Sequence, residues 1–269
     1  MGPAPYNSVM HPQYTFTFLG TGTSAGVPMI GCECDVCTSD DLRNHRYRCS
    51  VLISTPQGRI LIDTPPELRL QLLRAKVPFA HAVLLTHYHA DHLHGLDDVR
   101  VFPLKLNGPV PIYCNEETEA KVRSTFDYAC LDPTRPANAY VPQLEFHRIA
   151  AGEPFNVLGE RILPILLEHA HFQVLGFRIR NVAYCTDVSR IPDASWPMLE
   201  GLDVLVLDAL RHRSHPAHFS IGEALEVIAK LRPRQAYLTH MSHDVNHAEV
   251  QAQLPAGVAL AYDGLRFEF

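Results

Sequence analysis

Thr86-His87-Tyr88-His89-Ala90-Asp91-His92 is the stretch that decides how this chain is read. Four ligand-type side chains, His87, His89, Asp91 and His92, fall within six positions. The run Ala82-Val83-Leu84-Leu85-Thr86 just before them is short and apolar, the pattern of a buried strand. The four residues therefore stand where a strand ends and the chain turns. A regular strand or helix cannot aim all four at one ion, but a loop can direct them at two adjacent ions. Neutral imidazole together with carboxylate suits zinc, manganese, iron or nickel.

The same arrangement recurs further along. His169 follows the strand-like run 162–168, Asp187 follows 182–186, and His240 follows 235–239. One such residue alone is more often a satisfied polar group at a strand terminus. Together they put ligands along one edge of the sheets, where sites gather in α/β folds. His171 competes with His169 for its place; the spacing to Gly176-Phe177 favours His169. Asp63 ends its own run, 59–62, and is placed to orient a ligand imidazole.

Working outward, 14–19 alternates aromatic and hydroxyl side chains and predicts a strand, followed by the Gly-rich turn 20–26. That turn lacks the spacing of a dinucleotide fingerprint and reads as a close backbone approach. Strands are predicted at 49–55 and 59–62, a helix over 67–76, and strands at 82–86, 110–113 and 161–168. A hairpin joins 174–180 to 182–186, and buried strands follow at 203–207 and 235–239. Between these last two, Ser220-Ile221-Gly222-Glu223 has the form of a capping box, apolar residues recur at helical spacing to Leu231, and Pro233 stops the helix. Residues 131–142 are loop-rich and residues 1–13 read as a loose tail, leaving 14–269 as one domain. Strands alternating with helices predict mixed sheets with helices outside.

The 269 residues suit one α/β domain, and 46% apolar content excludes disorder. No run of 18 apolar residues occurs, so no membrane partner is expected, and the first residues do not resemble a signal peptide. With 23 basic against 29 acidic residues and no basic block, a large nucleic-acid footprint is not expected. Cys32, Cys34 and Cys37 fall within six positions and read as reduced thiols at a metal site, in a cytoplasmic protein. Cys49, Cys114, Cys130 and Cys185 read as core residues.

Asp63, the His87-x-His89-x-Asp91-His92 signature, His169, Asp187 and His240 resemble, in order and over nearly the whole chain, the metallo-β-lactamase superfamily. The resemblance implies an αββα sandwich of two mixed sheets with a binuclear metal centre. By it, His87, His89 and His169 hold one ion, Asp91, His92 and His240 the other, and Asp187 bridges them. The cysteine triplet after Gly20-Thr21-Gly22 looks like that of PhnP-type phosphodiesterases, which act on cyclic phosphate esters of phosphorylated ribose. That likeness implies a structural zinc in the loop 31–38, held by Cys32, Cys34 and Cys37 with His243 as fourth ligand.

Cleaving a phosphodiester needs a nucleophile and a proton for the leaving oxygen. The implied catalytic residues are Asp91 in the centre, His218 as general acid and Asp208 as the residue orienting it. His212 and His215 are weaker candidates for the acid. Arg211 and Arg213 stand nearby as candidates for a second phosphate. The expected function is hydrolysis of a small, cyclic phosphate ester by a bridging hydroxide on two divalent ions (zinc or manganese, with iron or nickel as alternatives), in an enzyme whose relatives imply a homodimer. A tRNA 3′-processing nuclease shares the site but needs a long arm between its His and Asp ligands. His169 and Asp187 are only 18 positions apart. A thioester or lactone hydrolase needs neither His218 nor the cysteine site. A non-catalytic binding module would be expected to lack some of the ligands.

Overall fold

A computed structural model describes residues 14–130 and 141–269. The predicted tail 1–13 and most of the predicted loop 131–142 lie outside the described residues. Two seven-stranded sheets face each other. The first takes β1 (Thr15–Gly20), β2 (Ser50–Thr55), β3 (Gly58–Ile62), β4 (Ala82–Leu84), β5 (Val110–Cys114) and β6 (Leu144–Arg148). The second takes β7 (Phe155–Val157), β8 (Glu160–His169), β9 (Phe172–Ile179), β10 (Val182–Cys185), β11 (Val204–Asp208), β12 (Gln235–Thr239) and β13 (Val258–Leu260). β14 (Arg266–Glu268) returns to the first sheet and pairs with β1.

Period-2 alternation builds the layers. Phe16, Phe18, Val51, Ile53, Ile60 and Ile62 point inward from the first sheet and meet Phe177, Ile179, Val182, Tyr184 and Val206 from the second. The alternate residues face outward under helices. Leu52, Leu61 and Val83 pack beneath α1 (Leu68–Ala75). Ala183, Leu205, Leu207 and Leu238 pack beneath α5 (Ile221–Leu231). The helices between are short: α2 (Ala90–Leu93) and α3 (Pro103–Leu106), then α4 (Glu116–Thr125); α6 (His247–Gln251) follows α5. This is the αββα sandwich expected from the sequence.

The predicted capping box is present. Glu223 N–H donates to Ser220 Oγ at 3.2 Å, and Glu223 Oε2 accepts from Ser220 N–H at 2.7 Å. Three differences have local causes. α4 shows almost no apolar period, since Glu116, Glu117, Glu119, Lys121 and Arg123 leave Val122 as its main buried aliphatic, and its start is set by Asn115 accepting from Thr118 N–H. β6, β7, β13 and β14 are edge or near-edge strands of three to five residues, too short for alternation to show. Cys130 is half-buried, unlike the buried Cys49, Cys114 and Cys185, because it follows a short 3-10 turn at the surface.

Gly20 and Gly22 do permit a close backbone approach. A Cβ on Gly20 would lie 2.0 Å from Arg48 O, and one on Gly22 would lie 2.8 Å from Arg46 O.

Two stability measurements follow. Ser220→Ala removes the cap and should cost about 1 kcal/mol, read as a fall of roughly 2–4 °C in Tm. His247 is buried, and burial followed by the Arg43 and Arg46 guanidinia pushes its imidazole down to about 4. Its folded value lies below the ordinary value of about 6.5, so its contribution is present above that pH and is lost as pH falls toward the folded value. Tm should drop over this acid range, and His247→Phe should flatten the drop.

Candidate metal centre

β3 runs parallel to β4, and β10 to β11 and β12, so their C-terminal ends open on the same edge of the sandwich. Asp63, His87, Asp187, Asp208 and His240 all emerge there. Three of them, Asp63 (φ 63°), Asp187 (φ 57°) and His240 (φ 61°), hold left-handed backbone. Non-glycine residues pay for that conformation in steric energy, and it turns each side chain sharply back over the strand end.

The ligand-type atoms form two groups. One nitrogen each of His87, His89 and His169 lie within 4.8 Å of one another, as do atoms of Asp91, His92, Asp187 and His240. Asp187 stands between the groups. Its Oδ2 is 3.9 Å from His87 Nε2 and 3.9 Å from His169 Nε2, while its Oδ1 is 3.1 Å from His92 Nε2 and 3.4 Å from His240 Nε2. His171 is exposed, packs on Phe172 and joins neither group.

Hydrogen bonds on the far side of each ring fix which nitrogen faces the centre. The buried Asp63 carboxylate accepts from Thr86 N–H, Thr86 Oγ1–H and His92 Nδ1, each at 2.8 Å. His87 Nδ1 donates to Thr86 Oγ1 at 2.9 Å, and His169 Nδ1 donates to the Ala217 carbonyl at 2.6 Å. Nε2 is thereby the nitrogen turned to the centre on all three rings, where a cation can take the place of a proton. The buried Nε2 atoms of His87, His92 and His240 have no hydrogen-bond partner. Such orphans are rare in proteins, and a pair of cations between them would satisfy every one. The donor set fits two divalent ions.

The electrostatics agree. Burial works against charge on His92 and His240, but Asp187 first and then Asp91 outweigh it, so His92 lies well above the ordinary range and His240 rises to about 9. His87 lies well below its ordinary value, through burial and then the charge of His92. A cluster of buried carboxylates pulls positive charge into the site from whatever source is at hand.

His218 stands beside the centre, 9% exposed, with its ring 4.6 Å from those of His169 and His240. Its Nδ1 donates to Asp208 Oδ2 at 2.9 Å, and Val188 N–H donates to the same oxygen at 2.8 Å. Arg211 is taken up by its own loop, donating to the carbonyls of Arg213 and Ser214, while Arg213 is exposed with Asp244 at 3.9 Å. These contacts turn both arginines toward their own loop and Asp244 rather than toward the centre. Two contacts carried no sequence signal: the Phe172 ring sits 5.1 Å edge-on from His89, and the Ala217 carbonyl orients His169.

Cys32, Cys34, Cys37 and His243 form a separate group whose ligand-type atoms also lie within 4.8 Å of one another. His243 Nδ1 is 3.2 Å from Cys32 Sγ and 3.4 Å from Cys34 Sγ. The Cys37 N–H and then His243 hold the Cys34 thiol down to about 6. Three sulfurs and one imidazole nitrogen at this spacing fit a tetrahedral zinc. The two sites are joined by the short run from His240 to His243. Met241 in that run exchanges backbone hydrogen bonds with Thr21 and Thr23.

Asp63→Ala should weaken metal binding at the His and Asp cluster about 10–100-fold, measured by metal titration, with the cysteine site unaffected.

The comparisons with known proteins agree with this geometry. The beta-lactamase superfamily domain matches residues 58–241. A crystal structure of a diphosphatase from the PhnP family is 43% identical, covers 96% of this chain and 97% of its own, and superposes with a TM-score of 0.89. Zinc-bound PqqB from Methylobacterium extorquens, 19% identical over 95% of this chain and all of its own, shares the fold with a TM-score of 0.76. An octanoyltransferase from Porphyromonas gingivalis is 35% identical over 250 residues, which is 92% of this chain. This chain spans 50% of that relative's length. With its strand-end ligands and its match across the central 184 residues, the chain belongs to the metallo-β-lactamase superfamily.

Proposed function

We propose that the protein is a metal-dependent phosphodiesterase that hydrolyses a small phosphate ester, with a cyclic ester of a phosphorylated sugar as the favoured class. The observation that carries this reading is the His218–Asp208 pair beside the cluster of metal-ligating side chains. The ligands fit zinc or manganese, with iron or nickel as further options. When bound, the two ions would lower the pKa of water and polarise a phosphoryl oxygen. The protein's own part is to hold and move one proton. Asp208 holds the His218 Nδ1–H and its carboxylate stabilises the imidazolium, the form of the ring whose Nε2–H can pass to the leaving oxygen. Asp63 and Thr86 keep the ligand rings from turning, and Asp91 and Asp187 supply negative charge.

The 43% identity with a PhnP-family diphosphatase supports a second reading, cleavage of a diphosphate. The two differ in how much the leaving group needs a proton. The octanoyltransferase name is not carried over, since half of that protein lies outside the match. A tRNA-processing role is disfavoured because β9 and β10 fill the interval between His169 and Asp187 with a tight hairpin. Free thiols at a zinc site fit a cytoplasmic enzyme. No helix among the described residues is long and apolar enough to cross a membrane. A homodimer and the absence of a large nucleic-acid partner remain part of the proposal.

The test is a panel of a cyclic ribose phosphate, an aryl phosphodiester, a diphosphate, a thioester and a pre-tRNA. Hydrolysis of the cyclic ester, lost on chelation and restored by zinc or manganese, supports the proposal; hydrolysis of the thioester alone overturns it. His218→Ala should lose about 10²–10⁴-fold in kcat on alkyl esters and far less on aryl esters or diphosphates. Equal losses would remove His218 from the acid role.

A further inference from the structure

Arg46 is among the largest fully buried side chains, at 1% exposed. Its Nη1 donates to the Ser242 carbonyl at 3.0 Å, and its Nη2 donates to the Val245 carbonyl at 2.7 Å and to Asn44 Oδ1 at 3.2 Å. Nε has no partner. Among the described residues no carboxylate oxygen lies within 4.0 Å of this guanidinium; Asp263 and Asp41 act on it only from farther away. A buried guanidinium that meets only neutral acceptors is costly, because it gives up hydration with no opposite charge in contact. Burial pulls it down to about 10, which still leaves it charged at neutral pH.

Its neighbours explain the placement. The carbonyls it grips belong to residues on either side of His243. Its own backbone exchanges two hydrogen bonds with Val27, at 2.7 and 2.9 Å, and Val27 packs against Val36 and Cys37. One residue thus joins the loop that carries the cysteines to the loop that carries the histidine. A zinc held by three thiolates and a neutral imidazole has a net charge of −1, by formal charges. Gly22 makes room for the arrangement, since a Cβ there would lie 2.8 Å from Arg46 Cβ.

We infer that Arg46 is the positioning residue of the Cys32–Cys34–Cys37–His243 site: a buried cation that fixes both of its loops and balances the charge of a zinc–trithiolate group. This rests on the reading that the group binds zinc. The zinc group and the guanidinium are then mutually stabilising through the buried side of that group at Cys37, while Cys34 on the outer side is exposed; the cost of burial falls on the guanidinium.

Cobalt(II) replacing zinc reports on the site through its thiolate charge-transfer bands, and competition with a chromophoric chelator gives the affinity. Arg46→Met should weaken zinc and cobalt binding about 10–100-fold. Arg46→Lys keeps the charge but cannot reach all the carbonyls, so its affinity should fall in between; it carries the test if the Met variant does not fold. The second readout is Tm in two backgrounds. Arg46→Met should lower Tm in the zinc-loaded protein, and should raise it or leave it unchanged in a Cys34→Ser/Cys37→Ser background, where the buried charge has nothing to balance. Unchanged metal affinity in both Arg46 variants, or equal Tm losses in both backgrounds, overturns the inference while leaving the zinc reading intact. Absence of thiolate–cobalt bands in the parent protein overturns the zinc reading and this inference with it.

Discussion

Asp187 shares its carboxylate between two groups of imidazoles, and most of the architecture can be traced to that constraint. A buried carboxylate with Oδ1 toward His92 and His240 and Oδ2 toward His87 and His169 must sit where both sheets end. The parallel strands bring their C-terminal ends to one edge, and the left-handed backbone at Asp63, Asp187 and His240 folds the side chains inward. Asp187, His92 and His240 are buried at that edge, against a core that is aliphatic and aromatic. Charge in such a place is tolerated only if it is paired, and cations are the pairing the donor set suits.

The supporting residues divide the work. Asp63 and Thr86 orient His92 and His87 by hydrogen bonds from behind. Asp208 does the same for His218, and is itself held by Val188 N–H. Each ring therefore presents a single nitrogen to the centre with little freedom to rotate. Chemistry at such a centre gains from this stiffness, because no reorganisation is required at the moment of reaction.

Much of the site was legible because ligand residues at strand ends carry a local signature: a short apolar run, then His or Asp. That signature located His87, Asp187 and His240 from the residues themselves, while the sharing of roles among them came from family resemblance. The cysteine triplet was visible from the crowding of three cysteines into six positions, and its partner His243 only by resemblance. What stayed hidden was either nonlocal or unpatterned. α4 packs with few apolar residues, so it has no period to detect. The Ala217 carbonyl reaches His169 across 48 positions through backbone alone. Arg46 looks like any surface arginine in the sequence, and nothing local says that its guanidinium is enclosed by residues near 242–245.

Pairing of β14 with β1 and the approach of Cys32 to His243, 211 positions away, sew distant parts of the chain together. Closing so long a loop costs entropy that the contacts it allows must offset. The first sheet is completed by residues near 266 pairing with β1. The cysteine loop likewise depends on the region near 243. A cation bound there would act on folding as a long-range crosslink does, narrowing the unfolded ensemble as well as holding the native one. Stability and the placement of His240 therefore both depend on the meeting of two distant segments.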